Sequence, residues 1–221
     1  MKTQVRGRDP GAVKAVLLDK DGTLVKDVPY NVDIHKVHFA EGAVDSLLLL
    51  QEAGYKLFII SNQSGIALNY FSRSDFHRMR KYISDSLESF GIQLSGFYYC
   101  PHHPSGSNPE YAFRCQCRKP EPGMLYQAAA EHGIDLHNSW MVGDILHDVE
   151  AGNRAGCRTV LLDVGNETEW VHGPYRTPDF TATSLRETAE IILAATDIKP
   201  PPAAMYEAGP ATVFANGGPV R

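Results

Sequence analysis

No stretch of the 221-residue chain approaches the roughly 20 consecutive apolar residues that a membrane-spanning helix requires, so a membrane partner is not expected. Clustered cations are missing as well: 21 Lys and Arg face 26 Asp and Glu, for a net charge of -5. Binding along a phosphate backbone needs grouped Lys and Arg, which leaves nucleic acid out as the main partner. The first apolar run is not followed by a G-x-G-x-x-G turn, and this excludes a dinucleotide-dependent oxidoreductase. The first residues, Met1 to Gly11, are polar and carry no signal-like apolar stretch. Cysteine is scarce, with four in all. Three of them crowd into positions 100 to 117, and in a reducing compartment such crowding favours a metal over disulfides. The expected compartment is the cytoplasm.

What the chain does have is alternation. Val13 to Leu18 reads as a buried strand ending at Asp19, and Leu57 to Ile60 as a second one leading into Ser61 and Asn62. Gly96 to Tyr99, Trp140 to Val142 and Arg158 to Leu162 read as three more. Between them lie helical patterns. One runs from Gly42 to Ala53. Another is capped by Ser74, with Phe76, Met79, Ile83, Leu87 and Phe90 in one stripe. A third opens at Pro122 with Met124, Leu125, Ala128, Ala129 and His132 on its core face. A fourth ends near Ala155, and a fifth starts at a Ser184/Glu187 capping box. Strands alternating with helices predict an α/β fold, doubly wound, with a mostly parallel sheet and helices on both faces. The organisation reads as an N-terminal extension (1–12), one domain (13–198) and a Pro/Gly/Ala-rich tail (199–221).

In such sheets ligands bind beyond the carboxyl ends of the strands, and the polar residues there agree in chemistry. Asp19 can attack phosphorus and split hydrolysis into two easier steps. Asp21, two residues on, can protonate the leaving oxygen and then activate water. Asp19 and Asp144 offer hard oxygen ligands for magnesium, and Ser61 can donate to a phosphate oxygen. Lys119 precedes a helix N-terminus, where cation and dipole can act on one anion. Each residue alone reads as a turn or cap. Together, in order, they do not.

Asp19-Lys20-Asp21-Gly22-Thr23 resembles the DxDGT signature of the haloacid dehalogenase (HAD) superfamily. Ser61, Lys119 and Gly143-Asp144 resemble its second, third and fourth motifs. The resemblance covers about residues 13 to 165. It implies a phosphatase with Asp19 as nucleophile, Asp21 as acid/base, and Ser61 and Lys119 on the phosphoryl group. Magnesium would lie on Asp19, the Asp21 carbonyl and Asp144, with Asp148 supporting it. The gaps between motifs hold no cap domain, so a capless, open site is expected. An inactive binding scaffold is the alternative of another class, and the complete catalytic set counts against it.

Cys100-Pro101-His102-His103 and Cys115-Gln116-Cys117 supply three thiolates and a choice of histidines, which fits a four-coordinate structural zinc. Cys100, His102, Cys115 and Cys117 are the expected ligands, with His103 in reserve, and the purpose is to order the loop that carries Arg118 and Lys119. Cys157 stands apart and reads as a core residue. This loop, together with Ser61 to Ala67 and Lys119-Pro120, resembles the family of D-glycero-D-manno-heptose 1,7-bisphosphate 7-phosphatases, and the related histidinol-phosphate phosphatases share a similar loop. The resemblance implies a monomer acting on a small sugar phosphate, with Asp27, Tyr30, Asn62 and Arg118 contacting the substrate. Four departures stand out: Lys20 where the family has Arg, Val25 where a residue such as Asn is usual, Leu68 in place of Arg, and Ile145 in place of Lys. The last two remove cations that could meet phosphate or sugar.

Overall fold

The run after residue 12 forms β1 (Ala15–Leu18), whose four side chains are all buried. A strand covered on both faces needs apolar residues at consecutive positions. The same holds through most of β2 (Lys56–Asn62), β4 (Trp140–Gly143) and β5 (Arg158–Leu162). With β3 (Leu94–Cys100) and β6 (Phe180–Ala182) they form one six-stranded sheet in the order β3-β2-β1-β4-β5-β6, parallel throughout. The computed structural model describes residues 12–195. Nearly all of the extension read at 1–12, and all of the tail read at 199–221, lie outside the described residues.

Alternate strand residues feed two cores. Val16, Leu18, Leu57 and Ile59 pack under α1 (Ala43–Glu52), α2 (Arg73–Ser89) and α5 (Leu185–Ala195). Ala15, Leu17, Phe58 and Ile60 pack under α3 (Gly123–His132) and α4 (Leu146–Ala155). The sheet is therefore doubly wound, as the alternation predicts.

Local chemistry corrects several expectations. Ser72, not Ser74, caps α2: its Oγ accepts from the Asp75 N–H at 3.1 Å, and the Asp75 carboxylate accepts from the Ser72 N–H at 3.0 Å. Phe76, Met79, Ile83 and Leu87 are buried, but Phe90 falls one residue past the helix and stays half exposed, edge-on to Phe39. His132, expected on the core face of α3, is exposed and sets its ring edge-on to Phe58 at 5.0 Å. Ser184 accepts from the Glu187 N–H as expected, while the Glu187 carboxylate turns to the Thr183 N–H at 2.7 Å. Strand β6 was not expected. It is three residues long, and its place is set by tertiary contacts: Asp179 binds the Thr159 N–H at 2.7 Å, and Phe180 packs on Trp140.

The chain runs outward through β1, β2 and β3, then returns to β4 on the other flank of β1. Such a reversal opens a crevice at the carboxyl ends of the two central strands. Asp19 and Asp144 follow those two strands. Between β1 and β2 lie only a short 3-10 turn (Ile34–Lys36) and α1, and between β2 and β3 only α2. Among the described residues no inserted domain covers the crevice.

Candidate active site

The Asp19 N–H extends the ladder to Val142 O at 2.8 Å. The chain then turns tightly, with Lys20 O accepting from the Leu24 and Val25 N–H groups at 3.0 and 2.9 Å. Gly22 sits at φ +81°, a left-handed conformation that side chains disfavour. A Cβ there would also run into Asp144 and Asn166. The turn delivers Thr23 Oγ1 to Asp144 Oδ1 at 3.0 Å, while Asn166 Nδ2 holds the other Asp144 oxygen at 2.8 Å.

Lys119 is the electrostatic centre. Its buried ammonium lies 2.5 Å from Asp19 Oδ1, 2.6 Å from Asp148 Oδ1 and 2.8 Å from Ile60 O. Burial lowers its pKa, but Asp148 and Asp19 outweigh burial and hold it above the usual lysine range. Oxygens of Asp19, Asp144 and Asp148 lie within 4.8 Å of one another. Burial lifts the Asp19 carboxyl well above its usual pKa against the pull of Lys119, and Asp148, Asp144 and Asp21 add to the rise. Burial and then Asp148 push Asp144 up to about 6. Three clustered carboxyl groups, two of them on the one ammonium, crowd acidic oxygens into a buried space. That donor set of hard oxygens fits a small divalent cation.

Two further side chains fix the geometry. Asn62 spends both ends of its amide on the Lys119 backbone, donating to its O and accepting from its N–H at 3.0 Å each. Ile145, at the start of α4, has no side-chain oxygen to offer as a cap. Glu167 supplies it, accepting from the Leu146 N–H at 2.6 Å. Arg118 donates to Ser64 Oγ at 2.7 Å, beside the same crevice.

The loop between β3 and α3 gathers a second donor set. The three sulfurs of Cys100, Cys115 and Cys117 lie 3.2 to 3.5 Å apart, and His102 Nδ1 is 3.3 Å from Cys117 Sγ and 3.5 Å from Cys100 Sγ. One N and three S donors all lie within 4.8 Å of one another, the donor set that a structural zinc takes. His103 turns away and accepts from the Ser105 N–H. Cys157 is buried just before β5, in the same core as Cys100, and is not part of this donor set.

A HAD-hydrolase-like family profile matches residues 116–188. The D-glycero-beta-D-manno-heptose-1,7-bisphosphate 7-phosphatase of Pasteurella multocida is 45% identical over 153 residues, 69% of this chain and 83% of that protein. The chain belongs to the HAD-like hydrolases. The enzyme of the same name from Escherichia coli K12 is 38% identical over 72% of this chain and 88% of its own. Among solved HAD-like structures, the D,D-heptose 1,7-bisphosphate phosphatase of B. bronchiseptica, complexed with magnesium and phosphate, superposes with a TM-score of 0.67 at 26% identity, covering 82% of this chain and 99% of that one. A HAD-like protein from Mesorhizobium loti gives 0.73 at 30% identity, covering 86% and 90%. This HAD-like chain is accordingly a phosphatase by family.

Of the residues singled out in the sequence, Asp19, Asp21, Ser61, Lys119 and Asp144 meet in one crevice through direct contacts or shared partners. Asp27 and Tyr30 lie on an exposed loop, and the Asp27 carboxyl is raised by partial burial and by Asp21. Asn62 is engaged with backbone. Gln63 and Asn166 also belong to the site, though no motif in the sequence singled them out. Asn166 could have been found from its place shortly after β5, by the same strand-end rule that found Asp144.

Proposed function

We propose that this HAD-like phosphatase is a magnesium-dependent phosphomonoester hydrolase that forms an aspartyl-phosphate on Asp19 and removes the 7-phosphate of D-glycero-D-manno-heptose 1,7-bisphosphate. The single observation that carries the mechanism is the Lys119 ammonium, buried between Asp19 and Asp148 and anchored to Ile60 O. It pins the nucleophile and supplies a fixed positive charge where phosphoryl oxygens would gather. Support for the substrate comes from relatives that carry that name.

In the first step an Asp19 carboxylate oxygen attacks phosphorus. The bond from phosphorus to the sugar oxygen breaks, and Asp21 gives its proton to that oxygen. In the second, water attacks the phosphoryl group, Asp21 takes the water proton, and Asp19 leaves as carboxylate with free phosphate. Ser61 donates to a phosphoryl oxygen throughout. Asp19, the Asp21 carbonyl and Asp144 would hold magnesium, with Asp148 beside them. When bound, that ion offsets charge between the anionic nucleophile and the anionic ester. Cys100, His102, Cys115 and Cys117 would hold a structural zinc. Asp27, Tyr30 and Arg118 are the side chains proposed to meet the sugar or its distal phosphate. The catalytic unit is proposed to span 13–198, in a cytoplasmic monomer.

The test is phosphate release, with magnesium, from heptose 1,7-bisphosphate anomers, histidinol phosphate and fructose 1,6-bisphosphate in parallel. Preference for a heptose bisphosphate, reduced by at least about three orders of magnitude in Asp19→Asn, is the expected outcome. Preference for histidinol phosphate would move the substrate and point to Leu68 and Ile145. Silence on every ester would leave an inactive scaffold.

A further inference from the structure

Asp21 is gripped on both oxygens by side chains that the mechanism above does not use. Lys20 Nζ lies 2.5 Å from its Oδ1, and Gln63 Nε2 lies 3.0 Å from its Oδ2. Both gripping residues are buried, at 2% and 4% exposure, whereas the Asp21 side chain is 31% exposed to the crevice. Withdrawing an ammonium from water is costly, and only a closely placed partner offsets the cost. Lys20 therefore sits where it does at a cost that its contact with Asp21 offsets.

Gln63 does more than hold one oxygen. The same Nε2 also donates to Ser61 Oγ at 2.8 Å. One amide nitrogen thus uses its two hydrogens on two acceptors, Asp21 and Ser61. Because Ser61 Oγ accepts from Gln63, its own proton is free to point at a phosphoryl oxygen. The bridge sets the spacing between the group on the phosphoryl side and the group on the leaving-oxygen side. A carboxyl partly open to solvent would otherwise rotate, and proton transfer needs its oxygen within about 2.6–3.2 Å of the target.

We propose that Lys20 and Gln63 are positioning residues, a two-sided clamp that holds the Asp21 carboxyl in register with the Ser61 hydroxyl for proton transfer to the leaving oxygen and from the attacking water. The clamp rests on the role given to Asp21 under the proposed function. It acts on orientation, so its loss slows the steps that move a proton and spares those that do not.

The experiment compares the full chain with its Lys20→Met, Lys20→Arg, Gln63→Leu and Asp21→Asn variants, magnesium present, on two esters. A sugar phosphate has an alkoxide leaving group that needs a proton, whereas p-nitrophenyl phosphate releases a phenolate that does not. Steady-state kcat and KM are read on both, with the first-turnover p-nitrophenolate burst by rapid quench. For Lys20→Met and Gln63→Leu, kcat on the sugar phosphate is expected to fall roughly 10- to 100-fold. KM should stay within about twofold, and the p-nitrophenolate burst should persist while phosphoenzyme hydrolysis slows. Lys20→Arg should recover most of the rate, since it restores a cation beside Asp21, and Asp21→Asn should show the same contrast more strongly. A p-nitrophenolate burst slowed as much as kcat on the sugar phosphate, or a higher KM at unchanged kcat, would overturn the clamp while leaving phosphatase activity standing. A wild type silent on both esters would instead remove the proposed function, and the clamp with it.

Discussion

At the scale of single residues, the site is built from groups that are costly on their own. Asp144 is the clearest case. Unfolded, its carboxyl loses the proton near 3.8; folded, it keeps the proton to about 6. Between those values the folded state binds more protons, so raising the pH destabilises the fold, and the penalty is complete above about 6. At about 1.4 kcal/mol per pKa unit it amounts to no more than about 3 kcal/mol. Asp144→Asn keeps an acceptor for Thr23, loses the one for Asn166 and removes the charge. Without added magnesium, the variant is expected to melt a few degrees higher than wild type near neutral pH and to show no gain below the unfolded pKa. Calorimetry across pH would check this; a lower melting temperature at neutral pH would mean that the hydrogen bonds outweigh the charge. Magnesium should stabilise wild type and not the variant.

At the scale of elements, each strand end owes its shape to a neighbour far along the chain, and this decides what could be read from sequence. The helices and central strands were legible because their apolar periodicity is local: Phe76, Met79, Ile83 and Leu87 define α2 without reference to anything else. Asp19, Asp144 and Lys119 were legible as strand-end and helix-start residues. Gln63 was not, because only folding brings its amide to Asp21, whereas Asn166 lies close enough after β5 for the strand-end rule to reach it. Phe90 was misplaced because helix periodicity continues on paper past the residue where the helix stops. The α4 cap is another long-range case. Burial raises the Glu167 carboxyl, but N–H donors from Leu146, Glu169 and Trp170 outweigh it and draw the pKa below its usual value. A lowered acid stabilises the fold above its unfolded pKa and loses that contribution as pH falls. Glu167→Ala is expected to cost about 1 kcal/mol near neutral pH, or about 2–4 °C in melting temperature. The loss should shrink in acid. A pH-independent loss, read by thermal melts, would assign it to packing instead.

At the scale of the whole molecule, one loop ties the second donor set to the first. Cys117, Arg118 and Lys119 are consecutive, so the segment that closes the Cys/His cluster also delivers the ammonium to Asp19. Removing a metal from that cluster is expected to abolish phosphatase activity even with magnesium in excess, because the loop no longer fixes Lys119. Zinc added back should restore activity, and Cys115→Ser should reproduce the loss without a chelator. Full activity in a protein shown by elemental analysis to lack zinc would separate the two sites. No helix among the described residues is long and apolar enough to cross a membrane.

The sheet has a further property that follows from its strand order. Among the described residues β3 lies at one margin, its outer edge facing no partner strand, and its last residue is Cys100. An unpaired margin rich in aromatic residues, here Phe97, Tyr98 and Tyr99, is a template for strand addition by other chains. A metal on Cys100 would staple the end of that margin to the loop folded beside it. Protein stripped of such a metal is therefore expected to precipitate before it unfolds, which light scattering recorded beside thermal melts would check.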